Sequence, residues 1–227
     1  MITILALTLG LLLGSAYVLV AQVYTPRHAA AHMPVVHVES DPPTDLLGLH
    51  ADTVTVTATD ATFRELEIGH LDLTLHDVAV VDRTADAVDG TLSDVNVTLS
   101  DGSAITLDEI RIAGAADAIR ATTTIDGAQA ETLIADAVEQ RTGVRPSSVR
   151  LTPPDTLTID AGVTVTGTLS VSDEGDLVVR LTDDPAGIGE LVLLRGSKDL
   201  PIRLTDVQVT KAGNLRLVGD LSIGLLG

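Results

Sequence analysis

Residues 202–209 read "IRLTDVQV", and the same pattern recurs as "LTLHDVAV" at 73–80 and "ITLDEIRI" at 105–112. In a flat β-strand, alternate side chains fall on opposite faces. Ile202 and Leu204 therefore share one face, while Val207 and Val209 would fall on the other. A β-bulge at Thr205-Asp206 adds a residue and returns all four to one face. A turn between two shorter strands is the alternative. A polar pair containing Asp, without Gly or Pro, favours the bulge. His76-Asp77 and Asp108-Glu109 sit at the equivalent place, so bulges are expected at 76–77, 108–109 and 205–206. Bulges raise twist and bend a strand, and three bulged strands imply a strongly curved sheet with a concave side.

Outward from these stretches, period-2 alternation runs through most of the chain from Asp52 onward. Val54, Val56 and Ala58 alternate with threonines, and Val95, Val97 and Leu99 precede a turn at Asp101-Gly102. Leu157 and Ile159 lead through Gly162 to Val163, Val165, Leu169 and Val171. Asp173-Glu174-Gly175 turns the chain toward Leu177, Val179 and Leu181. A final pair of strands flanks Lys211–Asn214. Thr-rich polar positions suit a half-buried pleated surface, and one dry face with one wet face marks an antiparallel sheet.

One segment changes period. In "IDGAQAETLIADAVEQRTGVRP" (125–146), Ala130, Leu133, Ile134, Ala137 and Val138 form a helical stripe. Asp126 is placed to cap, with Gln129 three residues on as in a capping box. Gly143 suits a left-handed C-terminal cap, and Pro146 prevents resumption. These signals predict a helix over 127–142, with a weaker helical turn over Pro185–Leu194. A lone helix on a long antiparallel sheet is an α+β arrangement.

Composition narrows the function classes. The folded part carries a single aromatic residue, Phe63, because both tyrosines, Tyr17 and Tyr24, lie near the N-terminus. Stacking platforms for bases or sugars are thus missing. The chain has no Cys, which removes disulfide and thiolate chemistry. Its net charge is −18 with only two lysines, Lys198 and Lys211, so no basic patch for nucleic acid is visible.

Residues 1–24, "MITILALTLGLLLGSAYVLVAQVY", hold no charged side chain and are long enough to cross a bilayer as a helix. A retained transmembrane anchor competes with a signal peptide cut after Gly14-Ser15-Ala16. The basic n-region of a signal peptide is missing, which favours the anchor with the domain facing the extracytoplasmic side. The first positive residue, Arg27, argues the other way. Residues 25–48, with Pro26, Pro34, Pro42 and Pro43, read as an extended linker holding one short strand near 34–39. The folded domain is expected at 49–227.

Sequence motifs for catalysis are absent: no G-x-S-x-G, H-E-x-x-H, P-loop or dinucleotide fingerprint occurs. His28 and His32 lie in the Pro-flanked linker and His70 and His76 on strand surfaces without an evident partner. No catalytic residue, metal site or cofactor is therefore expected.

Four stretches in order carry a resemblance: "ADTVTVTATDATFRELEIGHLDLTLHDVAV", "DGAQAETLIADAV", "TLTIDAGVTVTGTLSV" and "LPIRLTDVQVTKAGNLRLVGDLSI". Over roughly 50–227 the chain resembles the LmeA-like phospholipid-binding proteins of actinobacterial cell envelopes. The resemblance implies an exported or membrane-anchored, non-catalytic domain similar to tubular lipid-binding modules, with phospholipid as ligand. The helix would then pack on the concave face of the sheet. An aliphatic groove there would be lined by Ala130, Leu133, Ile134, Ala137, Val138, Val163, Val165, Leu204 and Val207. Arg145, Arg150, Arg195, Lys198 and Arg203 are the nearby basic candidates for a headgroup. Physics alone leaves a second interior open, a filled core in a structural or assembly protein whose acidic face binds a partner, because interiors normally pack without voids.

Overall fold

The computed structural model describes residues 35–39, 41, 50–63, 66–79, 84–99, 102–115, 118–182, 189–196 and 202–221. The expected membrane segment, 1–24, lies outside the described residues, as do Val80, Pro185 and Lys198. Among the described residues no helix is long and apolar enough to cross a membrane.

The elements are β1 (Val35–Glu39), β2 (His50–Phe63), β3 (Leu66–Ala79), β4 (Ala87–Thr98), β5 (Ala104–Ala115), β6 (Arg120–Ile125), α1 (Gly127–Thr142), β7 (Ser148–Thr152), β8 (Thr156–Asp160), β9 (Thr164–Val171), β10 (Leu177–Leu181), β11 (Glu190–Leu194), β12 (Ile202–Val209) and β13 (Leu215–Leu221). This is a sheet-dominated α+β fold with antiparallel pairing in the β1–β2, β2–β3, β7–β11 and β12–β13 ladders. The chain divides into two compact units. One holds residues 1–96, 109–120 and 223–227, and the other holds 97–108 and 121–222. β4 and β5 supply residues to both.

In the first unit the strand neighbours run β1-β2-β3-β4-β5. The β2–β3 ladder sets Val54 opposite Leu75, Val56 opposite Leu73 and Ala58 opposite Leu71. It is interrupted at two places, Asp52 against Asp77 and Asp60 against Gly69, where no pair forms while the register on either side is unchanged. Asp60 and Asp77 have φ of 54° and 50°, and Asp94 of β4 has 53°. This left-handed region is one that Asp tolerates better than most side chains. Buried positions switch parity at each interruption, from Leu66 and Ile68 to Leu71, and then to Val78. Both strands carry their extra residue at the same level, so phase changes and register does not. The break expected at 76–77 is therefore real. It is an opposed pair of irregular residues rather than the expected two-against-one bulge.

The other two breaks have different origins. At 205–206 the β12–β13 register shifts between Leu204 and Asp206. Ile202, Leu204, Val207 and Val209 are all buried, which is the expected bulge. At 108–109 the break coincides with the boundary between units. Ile105 and Leu107 belong to the second unit and Ile110 and Ile112 to the first, and all four are buried. Alternation alone does not distinguish that arrangement from a bulge.

In the second unit the neighbours run β4-β5-β6-β13-β12, with a separate sheet β11-β10-β9-β8-β7. α1 begins and ends where its caps require. The Asp126 carboxylate accepts the Ala128 N–H at 2.9 Å, and Gly143, at φ 75°, donates its N–H to the Glu139 carbonyl. Gln129 does not complete a capping box. In the amide orientation that satisfies both ends, it accepts from Thr106 N at 2.9 Å and donates to Thr106 O at 2.8 Å, tying α1 to β5. Asn214 Oδ1 takes the Gly127 N–H at 3.1 Å in its place at the helix start. Asp126→Ala is expected to cost about 1 kcal/mol, with thermal unfolding followed by circular dichroism as the measure.

The segment expected to hold a helical turn is instead strand from Glu190 to Leu194, paired with β10. Its Leu191 and Leu193 are buried and Val192 is 43% exposed, a period-2 pattern that pairing with β10 selects over a single helical turn.

Candidate functional site

The second unit presents an uninterrupted aliphatic sheet face. Residues directly opposite in a ladder share a face. Val149 faces Ile159, Leu151 faces Leu157, Ile159 faces Val165, Leu169 faces Val179 and Val179 faces Leu191. Across five strands this face contains no polar side chain at those positions, and all of these residues except half-buried Val165 are buried. The opposite face carries Ser148, Arg150, Thr158, Thr166, Thr168 and Ser170. Ser170 Oγ is enclosed without a hydrogen-bond partner. Its parity puts it on the polar side, away from Val165 and Leu169.

α1 contributes a second apolar surface. Ala130 and Ile134 are fully buried, Ala135 and Val138 nearly so, and Leu133 and Ala137 are half-buried. The buried stripe is thus turned by a fraction of a residue from the expected one, adding Ala135 at its edge. The backbone of α1 comes within 8 Å of β7 and of β11, the two edge strands of the five-stranded sheet. β12 comes equally close to β9, the middle strand, and the Val209 N–H donates to the Pro154 carbonyl at 2.6 Å. Two glycines permit this approach. A side chain on Gly175, at φ 86°, would meet Arg203 Cγ at 2.6 Å, and one on Gly196 would meet the Gly175 carbonyl at 2.2 Å.

The nine residues expected to line a groove separate by position. Ala130, Ile134 and Val138 lie in the buried stripe of α1, with Leu133 and Ala137 at its margin. Leu204 and Val207 are buried on either side of the β12 bulge, and Val165 lies on the aliphatic face of β9. Val163 does not join them. It sits in the β8–β9 turn beside Gly162 (φ 85°) and is 60% exposed, because the strand starts one residue later.

The basic candidates are also placed. Arg145 Nη1 bridges Asp136 (2.7 Å) and Glu139 (2.8 Å) at the end of α1. The Glu139 and Asp136 hydrogen bonds hold its guanidinium above the ordinary value. Arg203 donates to the Asp173 carbonyl at 2.7 Å. Arg150 is exposed on β7 and forms no ion pair among the described residues. In the first unit, His76 Nε2 lies 2.6 Å from Asp89 of β4, a carboxylate partner that sequence reading did not find.

These features define an α+β unit whose interior is aliphatic, with Thr123 its one buried polar residue among those described. Comparison with protein-family models, with curated protein sequences and with solved structures found no match to this chain. The family resemblance accordingly rests on the four quoted stretches.

Proposed function

We propose that this chain is a non-catalytic phospholipid-binding protein of the cell envelope, anchored by residues 1–24, holding acyl chains between α1 and a curved five-stranded sheet. One observation carries the reading: α1 approaches both edge strands of a sheet whose facing positions are aliphatic throughout. Edges of a flat five-stranded sheet stand about 19 Å apart, at roughly 4.8 Å per strand. At 1.5 Å per residue the sixteen residues of α1 span about 24 Å, enough to reach both edges, and a sheet curled toward the helix would leave room over its middle strands. Acyl carbons entering there need no polar partner, because each buried methylene contributes about 0.8 kcal/mol. Half-buried Leu133, Ala137 and Val165 would form the wall.

The test uses a chain starting at His28, which retains every described element. Organic extraction of the detergent-free protein followed by mass spectrometry should release phospholipid. Ala137→Trp should abolish that lipid while leaving the circular dichroism spectrum intact. Extracts without phospholipid, together with a melting temperature unmoved by added phospholipid, would sink the proposal.

A second reading is favoured by the complete enclosure of Ala130, Ile134, Leu177, Val178 and Val179. Residues packed this tightly suit a filled core in a structural or assembly protein with an acidic partner face. That reading expects no extracted lipid and salt-sensitive capture of a basic partner.

A further inference from the structure

We infer that His50, Asp52 and Asp77 form a binding site for a divalent first-row transition ion of the Zn²⁺ or Mn²⁺ kind. His50 and Asp52 are two residues apart on β2, on either side of buried Ala51. Asp77 of β3 occupies the level opposite Asp52, at the first interruption of the ladder, between the Ala51–Val78 and Thr53–His76 pairs. The three donor atoms lie within 4.8 Å of one another, so modest side-chain rotations bring them onto one ion. His50 and Asp52 are half-buried and Asp77 is exposed, which leaves the ion a path from solvent.

The charges around this cluster are one-sided. Like charges placed opposite each other across a ladder repel. Among the described residues no Lys or Arg forms an ion pair with Asp52 or Asp77. The nearby His76 is turned to Asp89 instead. Asp52 Oδ2 accepts the Asp41 N–H at 2.6 Å, which orients the carboxylate as an outer hydrogen bond orients a metal ligand and leaves Oδ1 for the ion. A dication would turn the Asp52–Asp77 repulsion into attraction.

Donor chemistry selects the ion. An imidazole nitrogen with two carboxylates suits zinc or manganese, whereas calcium takes six to eight oxygens. Three protein ligands leave at least one position for water. This inference concerns the first unit and does not depend on the lipid reading of the second.

The experiment titrates ZnCl₂, MnCl₂ and CaCl₂ into the full chain, tag-free and EDTA-treated in detergent micelles, by calorimetry. One equivalent of Zn²⁺ or Mn²⁺ should bind, with Ca²⁺ far weaker. Asp77→Asn and His50→Gln should each weaken binding by about tenfold or more. Asn is chosen because it also tolerates positive φ. Both variants should keep the metal-free melting temperature of the parent, and His50→Gln carries the test alone if Asp77→Asn does not fold. Absence of one-to-one Zn²⁺ and Mn²⁺ binding overturns the inference. So does binding that both variants leave unchanged, which would place the ion on other histidines. Calcium binding as tightly as zinc overturns the assignment to a transition ion.

Discussion

Ile134→Ala is expected to destabilise the protein by about 3–5 kcal/mol, the upper part of the range for large-to-small core substitutions. Ile134 is fully buried on α1. Its inward neighbours on the helix are Ala130, Ala135 and Val138, so no long side chain stands ready to fill the space it leaves. The cost of such a cavity depends on how far the surroundings collapse, and a stripe built on alanine collapses little. Leu133→Ala supplies the comparison. The same number of carbons is lost from a half-buried position, so its cost should be clearly smaller. Urea unfolding followed by far-ultraviolet circular dichroism measures both. Equal losses would mean that Leu133 and Ile134 face inward alike, as in the stripe that sequence periodicity alone suggests.

Gly90→Ala is expected to cost about 3 kcal/mol, through a different mechanism. A β-carbon on Gly90 of β4 would lie 2.2 Å from the Asp72 carbonyl oxygen and 2.8 Å from Leu73 Cα of the neighbouring strand β3. Those are backbone atoms, which cannot swing aside as a side chain does, so the two strands must separate locally. Overpacking of this kind costs about 1–3 kcal/mol and sits at the upper end where backbone must move. Gly102→Ala separates close approach from backbone strain. Gly102 has φ of 87° but nothing within 4 Å, so only the left-handed penalty of about 1–2 kcal/mol applies. If Gly90→Ala melted within a degree of the parent protein, the close approach of β3 and β4 would be refuted.

Local signals in the chain were read correctly where the physics is local. Asp126, Gly143 and Pro146 bracket a helix that runs from Gly127 to Thr142, because caps act within one turn. The hairpin turns at Glu174-Gly175 and Ala212-Gly213 follow from glycine's access to positive φ, observed at 86° in both. Phase breaks were legible as breaks. Their kind was not, because a bulge, an opposed pair of unpaired residues with one left-handed member and a boundary between units leave the same trace in one strand. The fourth example, "GTLSDVNV" at 90–97, carries the same Ser93-Asp94 signal. It completes a series of positive-φ aspartates at 60, 77 and 94 that strand-by-strand reading passes over.

Candidate site residues divide along the same line. Helix positions fixed by 3.6-residue periodicity, Ala130, Ile134 and Val138, proved buried, while Val163 proved exposed because strand onset is decided by pairing with β8. His50 attracted no attention in the sequence, since its partner Asp77 is 27 positions away and only the β2–β3 register joins them. Gln129 went to Thr106 rather than to its own helix for the same reason.

The sequence by itself determined the periods, the caps, the turns and the aliphatic character of the interior, because each of these is settled by side-chain chemistry within a few residues. Only the tertiary structure decided which strand lies opposite which. That choice turned Asp52 and Asp77 into neighbours, gave His76 a carboxylate, and joined Val149, Ile159, Val165, Leu169, Val179 and Leu191 into a shared face. Strand pairing joins distant residues through backbone groups that every amino acid carries alike, so the side-chain sequence records it faintly.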